Sequence, residues 1–150
     1  MFHNKFLIVI FATLLVISCT RKTLDKSPQN TLSDYVTQTF AIQSSSDKQK
    51  LLEFTTGEVR KTLDNLDSNE FVRNFIEQKK QFISLKIKEE RRLSENRRSI
   101  TYEISYLNQI SNARITIKKL ALFEKQGEKW LVSEVKNVKT FIDHQNELSF

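Results

Sequence analysis

Apolar residues change their spacing about half-way along the chain, near residue 80. Before that point they recur at intervals of three and four residues, which places them on one face of a helix. After it they alternate with polar residues, which places them on one face of a strand. Each half therefore has one apolar face to bury, and the two halves must cover each other. The sequence predicts an α+β domain.

Three to four short helices are predicted in the first half. Helical spacing begins at Ser33, and the polar run at 44–47 offers N-caps for a second helix. Residues 55–58 (Thr-x-x-Glu) and 67–70 (Asp-x-x-Glu) each fit a capping box that starts a further helix. The apolar positions of these helices are Tyr35, Val36, Phe40, Leu51, Leu52, Phe54, Val59, Leu63, Leu66, Phe71, Val72, Phe75 and Ile76.

Four strands are predicted in the second half. Alternating rows begin at Ile83, Ile100 and Ala113, and the last strand opens at Trp130. The apolar phase of the third strand flips to leucines after 118–119, which predicts a bulge there that bends the sheet. The connections are short, so the strands should form an antiparallel meander. The predicted fold is three to four N-terminal helices packed on a curved four-stranded antiparallel meander.

Helices followed by a long meander resemble the cystatin-like superfold and, more narrowly, the nuclear-transport-factor-2-like cone. The stretches that carry the likeness are 102–106, 113–123 and the turn at 127–130 with the alternating valines after it. The resemblance covers about 33–142 of the chain. Larger cone-shaped members have an extra strand among their helices, and none is predicted here. A deep enclosed pocket is therefore not expected.

A short apolar run, 6–17, opens the chain after Lys5 and ends at Ser18. It is shorter than the roughly 20 residues that a membrane-spanning helix needs. A basic start, a short apolar middle and a small residue at the exit are typical of a secretory signal. An uncleaved anchor and a buried N-terminal helix are the alternatives.

The stretch Val16-Ile17-Ser18-Cys19 resembles the lipobox of bacterial lipoproteins. The resemblance implies cleavage before Cys19, diacylglycerol on its sulfur and an acyl chain such as palmitate on its new amino group. Several acyl chains together anchor a protein stably in a membrane. Thr20 is not an aspartate, which by the sorting rule of such lipoproteins implies the outer membrane, facing the periplasm. The alternative is an ordinary cleaved signal followed by an incidental cysteine.

These features divide the chain into four segments. They are a cleaved signal peptide at 1–18, lipidated Cys19 with a flexible tether to residue 32, the α+β domain at 33–142 and a polar tail at 143–150. Cys19 is the single cysteine, so a lipidated chain has no thiol nucleophile and no disulfide. The net charge of +6 would favour nucleic acid, but export removes that partner. Anionic lipid, cell-wall polymer or an acidic envelope protein fits better.

The residue inventory argues against several catalytic classes. The two glycines cannot make a phosphate-binding loop or a dinucleotide fingerprint, and no cofactor is expected. No metal site is expected either, since one histidine remains once the signal is removed. His144 lies close to Asp143 and Glu147, but these residues fall in the predicted tail, where solvated side chains are normal.

Glu134 is the one weak catalytic candidate. It continues the alternation of Trp130 and Val132, and a carboxylate buried in an apolar cone can become a general base. The favoured interpretation is that the strand changes phase by Val135, which turns Glu134 toward water.

Basic residues surround the predicted turn of the first hairpin. They are Lys86, Lys88, Arg91, Arg92, Arg97 and Arg98. One interpretation is a docking patch for an anionic surface or an envelope protein. The other is a solvated hairpin that charge protects from edge pairing. Tyr102 and Tyr106 line either a pocket mouth or the core.

The sequence thus favours a lipid-anchored envelope protein with a non-catalytic binding or interaction domain. The alternative is a cone-fold enzyme or small-ligand binder that uses a buried carboxylate. The residues do not identify the partner or the oligomeric state.

Overall fold

The structure, a computed structural model, describes residues 27–144. The predicted signal peptide, Cys19 and most of the predicted tether lie outside the described residues, as does Glu147. The elements in order are α1 (Pro28–Phe40), a 3₁₀ helix (Ser45–Asp47), α2 (Lys48–Leu52), α3 (Gly57–Asn65), α4 (Ser68–Phe75), β1 (Lys80–Arg92), β2 (Arg97–Asn108), β3 (Ala113–Gln126) and β4 (Lys129–His144).

The four strands form one antiparallel sheet in the order β1-β2-β3-β4. The predicted meander is therefore confirmed, and so is the α+β class. Helix α1 packs on the sheet through Leu32 and Val36, which belong to one buried cluster with Ile100 and Tyr102 of the inner face.

Two buried clusters form the interior of the described domain. The first lies between α1 and the sheet and consists of Leu32, Val36, Ile100, Tyr102, Ile104, Ala121, Phe123 and Val132. The second lies among the helices and consists of Ile42, Leu51, Leu52, Leu63 and Phe71. Both clusters fall within residues 27–144, so this part of the chain contains its own hydrophobic core.

Helix α1 begins at Pro28, earlier than the predicted start at Ser33. The Ser27 side chain caps it by accepting a hydrogen bond from the backbone N–H of Asn30 at 3.2 Å. Proline at the first helical position costs no hydrogen bond, because that N–H has no partner in a helix. Leu32, assigned from sequence to the tether, is fully buried. The polar composition of this stretch concealed a helix start.

Of the two predicted capping boxes, the one at 67–70 is confirmed. The Glu70 N–H donates to Asp67 at 2.8 Å, and the Asp67 N–H donates to the Glu70 side chain at 3.2 Å. The box at 55–58 is wrong, since the N-cap of α3 is Thr56. Thr55 instead forms a parallel bridge with Val132 of β4.

This bridge joins the helical half to the edge of the sheet. The Val132 N–H donates to the Phe54 carbonyl at 2.9 Å, and the Thr56 N–H donates to the Val132 carbonyl at 2.9 Å. No strand precedes β1 in the described residues, and this contact is a single bridge. The bridge connects the start of α3 to β4, and α3 lies along one side of a cavity between the helices and the sheet.

The bulge predicted at 118–119 is present, but its extra residue lies in the partner strand. Lys118 pairs with Lys139 and Lys119 pairs with Asn137, which leaves Val138 of β4 unpaired. Strand β3 keeps its phase against β2 throughout. The predicted phase flip in β3 is therefore wrong, and Lys119 takes the inward position that the prediction gave to Leu120.

Asp47 organises the polar loop between α1 and α2. Its carboxylate accepts a hydrogen bond from Lys50 at 2.7 Å and one from each backbone N–H of Gln43 and Ser44 at 3.0 Å. The Lys50 ammonium, followed by these backbone donors, holds the pKa of Asp47 well below its ordinary value of 3.8.

Replacing Asp47 by asparagine should lower the melting temperature at neutral pH. It should also make the melting temperature fall less steeply as the pH is lowered. A carboxyl with a lowered folded-state pKa contributes stability above its unfolded pKa, and that stability is lost as the pH falls toward the folded pKa. The difference between wild type and Asp47→Asn should therefore shrink as the pH falls below about 4. Thermal unfolding followed by circular dichroism from pH 7 to 2 measures it. Asp34→Asn, at an exposed position, is the control. An equal loss at every pH would contradict this role.

Candidate functional site

A cavity of about 670 Å³, open to solvent on one side, lies between α1, α3 and the inner face of the sheet. Its volume falls within the range of small-molecule sites, about 300–1,000 Å³. Its apolar wall includes Val36, Phe40, Val59, Leu63, Ile104 and Ile117. The cavity is open to solvent, so it is not the deep enclosed pocket that the sequence argued against.

Three lysines line this cavity, and one of them, Lys136, forms an ion pair with Glu134. Lys119 of β3 lies directly opposite Tyr102 of β2, and Lys80 opens β1. Both side chains are partly buried, and neither forms an ion pair with a carboxylate in the part of the chain that the structure describes. Burial lowers the pKa of both ammonium groups, and the charge of Lys80 lowers the pKa of Lys119 further. The inner wall therefore carries two cations without a counter-charge.

Sequence reasoning missed Lys119 as a cavity residue. The phase of Ala113, Ile115 and Ile117 continues unbroken to Ala121 and Phe123, and a lysine stands in the row between them. The neighbouring apolar residues at 120 and 122 concealed this row, because they are equally hydrophobic and belong to the opposite face.

Three tyrosines also line the cavity: Tyr35, Tyr102 and Tyr106. Burial raises the pKa of each phenol, and nearby Tyr35 raises the pKa of Tyr102 further. The hydroxyls therefore stay protonated at physiological pH and can donate hydrogen bonds. The Tyr106 ring also lies beside Lys80, whose ammonium is 5.5 Å from the ring centroid. The structure thus combines the two interpretations of Tyr102 and Tyr106, since both are buried and both line the cavity.

Glu134 borders the cavity, but its pairing with Leu122 places its side chain on the opposite face of the sheet, where it forms an ion pair. Ser133 is the extra residue of a second bulge in β4, so Glu134 lies opposite Leu122 and Val135 returns to the core. The Glu134 carboxylate is partly buried and lies 2.5 Å from the Lys136 ammonium. A paired carboxylate of this kind differs from the isolated buried acid that becomes a general base.

Replacing Lys119 by methionine should stabilise the protein at neutral pH. A lysine whose pKa is lower in the folded state makes folding less favourable while it is charged, so stability should rise as the pH climbs toward the unfolded pKa near 10.5. Methionine is also unbranched and only one atom shorter than lysine, but it has no charge. The expected gain in the free energy of unfolding is about 1 kcal/mol, within the usual range for a single stabilising substitution. This gain corresponds to an increase of roughly 3–6 °C in melting temperature.

Differential scanning calorimetry of Lys119→Met at pH 7 measures this gain. Lys118→Met is the matched control, because Lys118 lies next in the chain but on the opposite face of the sheet. An unchanged or lower melting temperature for Lys119→Met would show that the ammonium is already compensated.

The basic residues of the first hairpin are mostly neutralised. Four of the six form ion pairs: Lys88 with Glu103 at 2.8 Å, Arg91 with Glu89 at 2.6 Å, Arg97 with Glu124 at 3.8 Å and Arg98 with Glu90 at 3.8 Å. Within the described residues, Lys86 and Arg92 form no ion pair. The surface is one of mixed charge, so its attraction to an anionic partner is reduced. Docking at this hairpin stays a prediction.

Strand β4 continues to the end of the described chain. The backbone of Asp143 pairs with Arg114, and that of His144 pairs with Ala113. No group of three or more metal-ligating side chains occurs between residues 27 and 144. No helix in that part of the chain is long and apolar enough to cross a membrane.

Comparison with known proteins finds neither a matching family model nor a matching curated protein. Among solved structures, the chain is similar to a SEC-C motif containing protein from Rhodopseudomonas palustris, with a TM-score of 0.57 and 19% identity over 77% of this chain and 81% of that chain. It is also similar to an Ntf2 like protein involved in plasmid conjugation, with a TM-score of 0.49 and 15% identity over 77% of this chain and 40% of that chain. At these identities the likeness concerns the fold alone. The fold class is α+β, with helices on a four-stranded antiparallel sheet.

Proposed function

We propose that the domain is a non-catalytic small-molecule binding module. The observation that carries this proposal is the cavity of about 670 Å³ between the helices and the sheet. Its wall is largely apolar, with a few polar groups that converge on the same space, as binding sites commonly are. These polar groups are ammonium and phenol donors, which suit recognition. Glu134, the acid weighed as a general base, is held in an ion pair by Lys136.

Fragment screening by NMR tests this proposal. Residues 20–150 are suitable for the screen, because both buried clusters lie within residues 27–144. A library of mixed charge should shift the amide and methyl signals of Ile104 and Ile117 in the cavity and leave Leu120 and Leu122 on the opposite face unchanged. If no fragment shifts the cavity signals, the domain is not a small-molecule binder.

We also propose that lipids on Cys19 anchor this domain to the outer membrane, on the side that faces the periplasm. Support comes from the lipobox-like stretch Val16-Ile17-Ser18-Cys19 and the short apolar run before it. The residues between Cys19 and α1 would then separate the domain from the bilayer.

Mass spectrometry of the protein purified from bacterial membranes checks the anchor. The chain should begin at Cys19 and carry the mass of a diacylglycerol and an acyl group. Cys19→Ser should remove the modification. The protein should then leave the membrane fraction, because the acyl chains on Cys19 are its proposed anchor. An unmodified Cys19, or a chain that still begins at Met1, would contradict the anchor and leave the binding proposal standing.

A further inference from the structure

We propose that the cavity takes a small amphipathic anion, with its acidic head between Lys80 and Lys119 and its apolar body against α1 and α3. This inference rests on the proposed binding function and assigns the chemical class of the ligand.

The inner wall of the cavity carries positive charge. Lys80 and Lys119 both line the cavity, where each is partly removed from water, and the charge of Lys80 lowers the pKa of the Lys119 ammonium. Neither has a carboxylate partner among residues 27–144. Two desolvated like charges raise the free energy of the empty site. An anionic head between them would relieve both effects, because each ammonium would gain a charge-assisted hydrogen bond.

The remaining charges of the lining do not supply this counter-charge. Glu134 is held by Lys136 at 2.5 Å. Glu58 is exposed in the first turn of α3, where the positive end of the helix dipole favours a carboxylate. The cations of the inner wall are therefore left for a ligand.

Aromatic donors lie on the same wall as the two ammonium groups. Tyr102 is directly opposite Lys119, and the Tyr106 ring lies beside the Lys80 ammonium. A protonated phenol donates to a carboxylate oxygen but cannot balance its charge. Together the tyrosines and lysines offer donors for both oxygens of an acidic head and few acceptors for a cationic one.

The opposite side of the cavity carries large apolar side chains among polar ones. Helix α1 presents Val36 and Phe40, and α3 presents Val59 and Leu63. An alkyl or aryl body placed against these apolar side chains would lose its contact with water. A fully hydrophilic anion such as free phosphate would leave this surface uncovered, so the ligand must have an apolar part as well as an acidic one.

Isothermal titration calorimetry of residues 20–150 with three matched probes tests the proposal. The probes are phenylbutanoate, phenylbutanol and phenylbutylamine, which share a body and differ in the charge of the head. The acid should bind about tenfold more tightly than the alcohol, because its head forms roughly one additional charge-assisted hydrogen bond. The amine should bind more weakly than both. A phenylbutylphosphonate arm distinguishes a carboxylate from a phosphate-type head, and tighter binding of either acid supports the class.

Two variants locate the binding in the cavity. Lys80→Met and Lys119→Met should each weaken the acid about tenfold and leave the alcohol unchanged. Lys118→Met, on the opposite face, should leave both unchanged. Melting curves of the variants show whether each still folds, and if Lys119→Met does not, Lys119→Gln replaces it.

Each other result overturns the ligand class. Equal binding of acid, alcohol and amine would leave a binding cavity without charge selection, so the proposed function would survive alone. An acid that does not bind, or whose binding is insensitive to both lysines, would also exclude this class. The fragment screen then decides separately whether the cavity binds anything.

Discussion

Replacing Phe123 by alanine is expected to cost about 3–5 kcal/mol of folding free energy, since this is the usual loss for a buried phenylalanine. Phe123 is fully buried in the cluster between α1 and the sheet, and it lies opposite Val132 on the neighbouring strand. Single domains are commonly stable by about 5–15 kcal/mol, so the variant should have lost a large part of its stability. Urea unfolding followed by circular dichroism and by the fluorescence of Trp130 measures the loss.

Leu122→Ala is the matched control for Phe123→Ala. Leu122 is the preceding residue in β3, but it points to the opposite face and is partly exposed. Its replacement should cost about 1 kcal/mol, near the centre of the range for single substitutions. Similar losses for the two variants would contradict the assignment of the odd positions of β3 to the buried face.

Gly57→Ala should destabilise the protein by about 2–3 kcal/mol. Gly57 opens α3 with φ at +52°, a left-handed conformation that costs a residue with a Cβ about 1–2 kcal/mol. A Cβ at this position would also stand 3.0 Å from the Ser133 carbonyl oxygen of β4, which is backbone and cannot turn away. The overlap should add about 1 kcal/mol or more, as overpacking usually does. Urea unfolding measures the sum.

Gly127→Ala separates these two effects. Gly127 lies in the turn between β3 and β4 with φ at +61°, but open space surrounds the position of its missing Cβ. Only the backbone cost of about 1–2 kcal/mol should appear. If Gly127→Ala costs as much as Gly57→Ala, the close approach of α3 to the edge of β4 does not constrain the fold.

The α+β fold could be predicted because its signals are local. The change from helical spacing to strand alternation lies within a few residues of the start of β1. The capping box of α4 requires only residues 67–70, and both of its hydrogen bonds form. Short connections leave sequential strands few ways to pair, so the meander followed from spacing alone.

The candidate site could not be predicted because it depends on relations between strands. The unpaired residue of the first bulge in β4 is Val138, although the sequence irregularity lies in β3 at Lys118 and Lys119. Only the pairing with β2 shows that Lys119 shares a face with Tyr102. The volume of the cavity depends on how far α1 and α3 stand from the sheet, which no single segment determines. From sequence, the first residues of α1 are likewise assigned to the tether, because the cap at Ser27 that starts the helix is not recognised.

A crystal structure of residues 20–150 with phenylbutanoate tests the central claim most directly. The claim predicts that the carboxylate lies within hydrogen-bonding distance of the Lys80 and Lys119 ammonium groups, with the phenyl ring between Phe40 and Ile117. It also predicts a lower occupancy of phenylbutanoate in Lys119→Met crystals treated in the same way. Phenylbutanoate bound at another surface, or bound in the cavity with its carboxylate turned to solvent and away from both lysines, would contradict it.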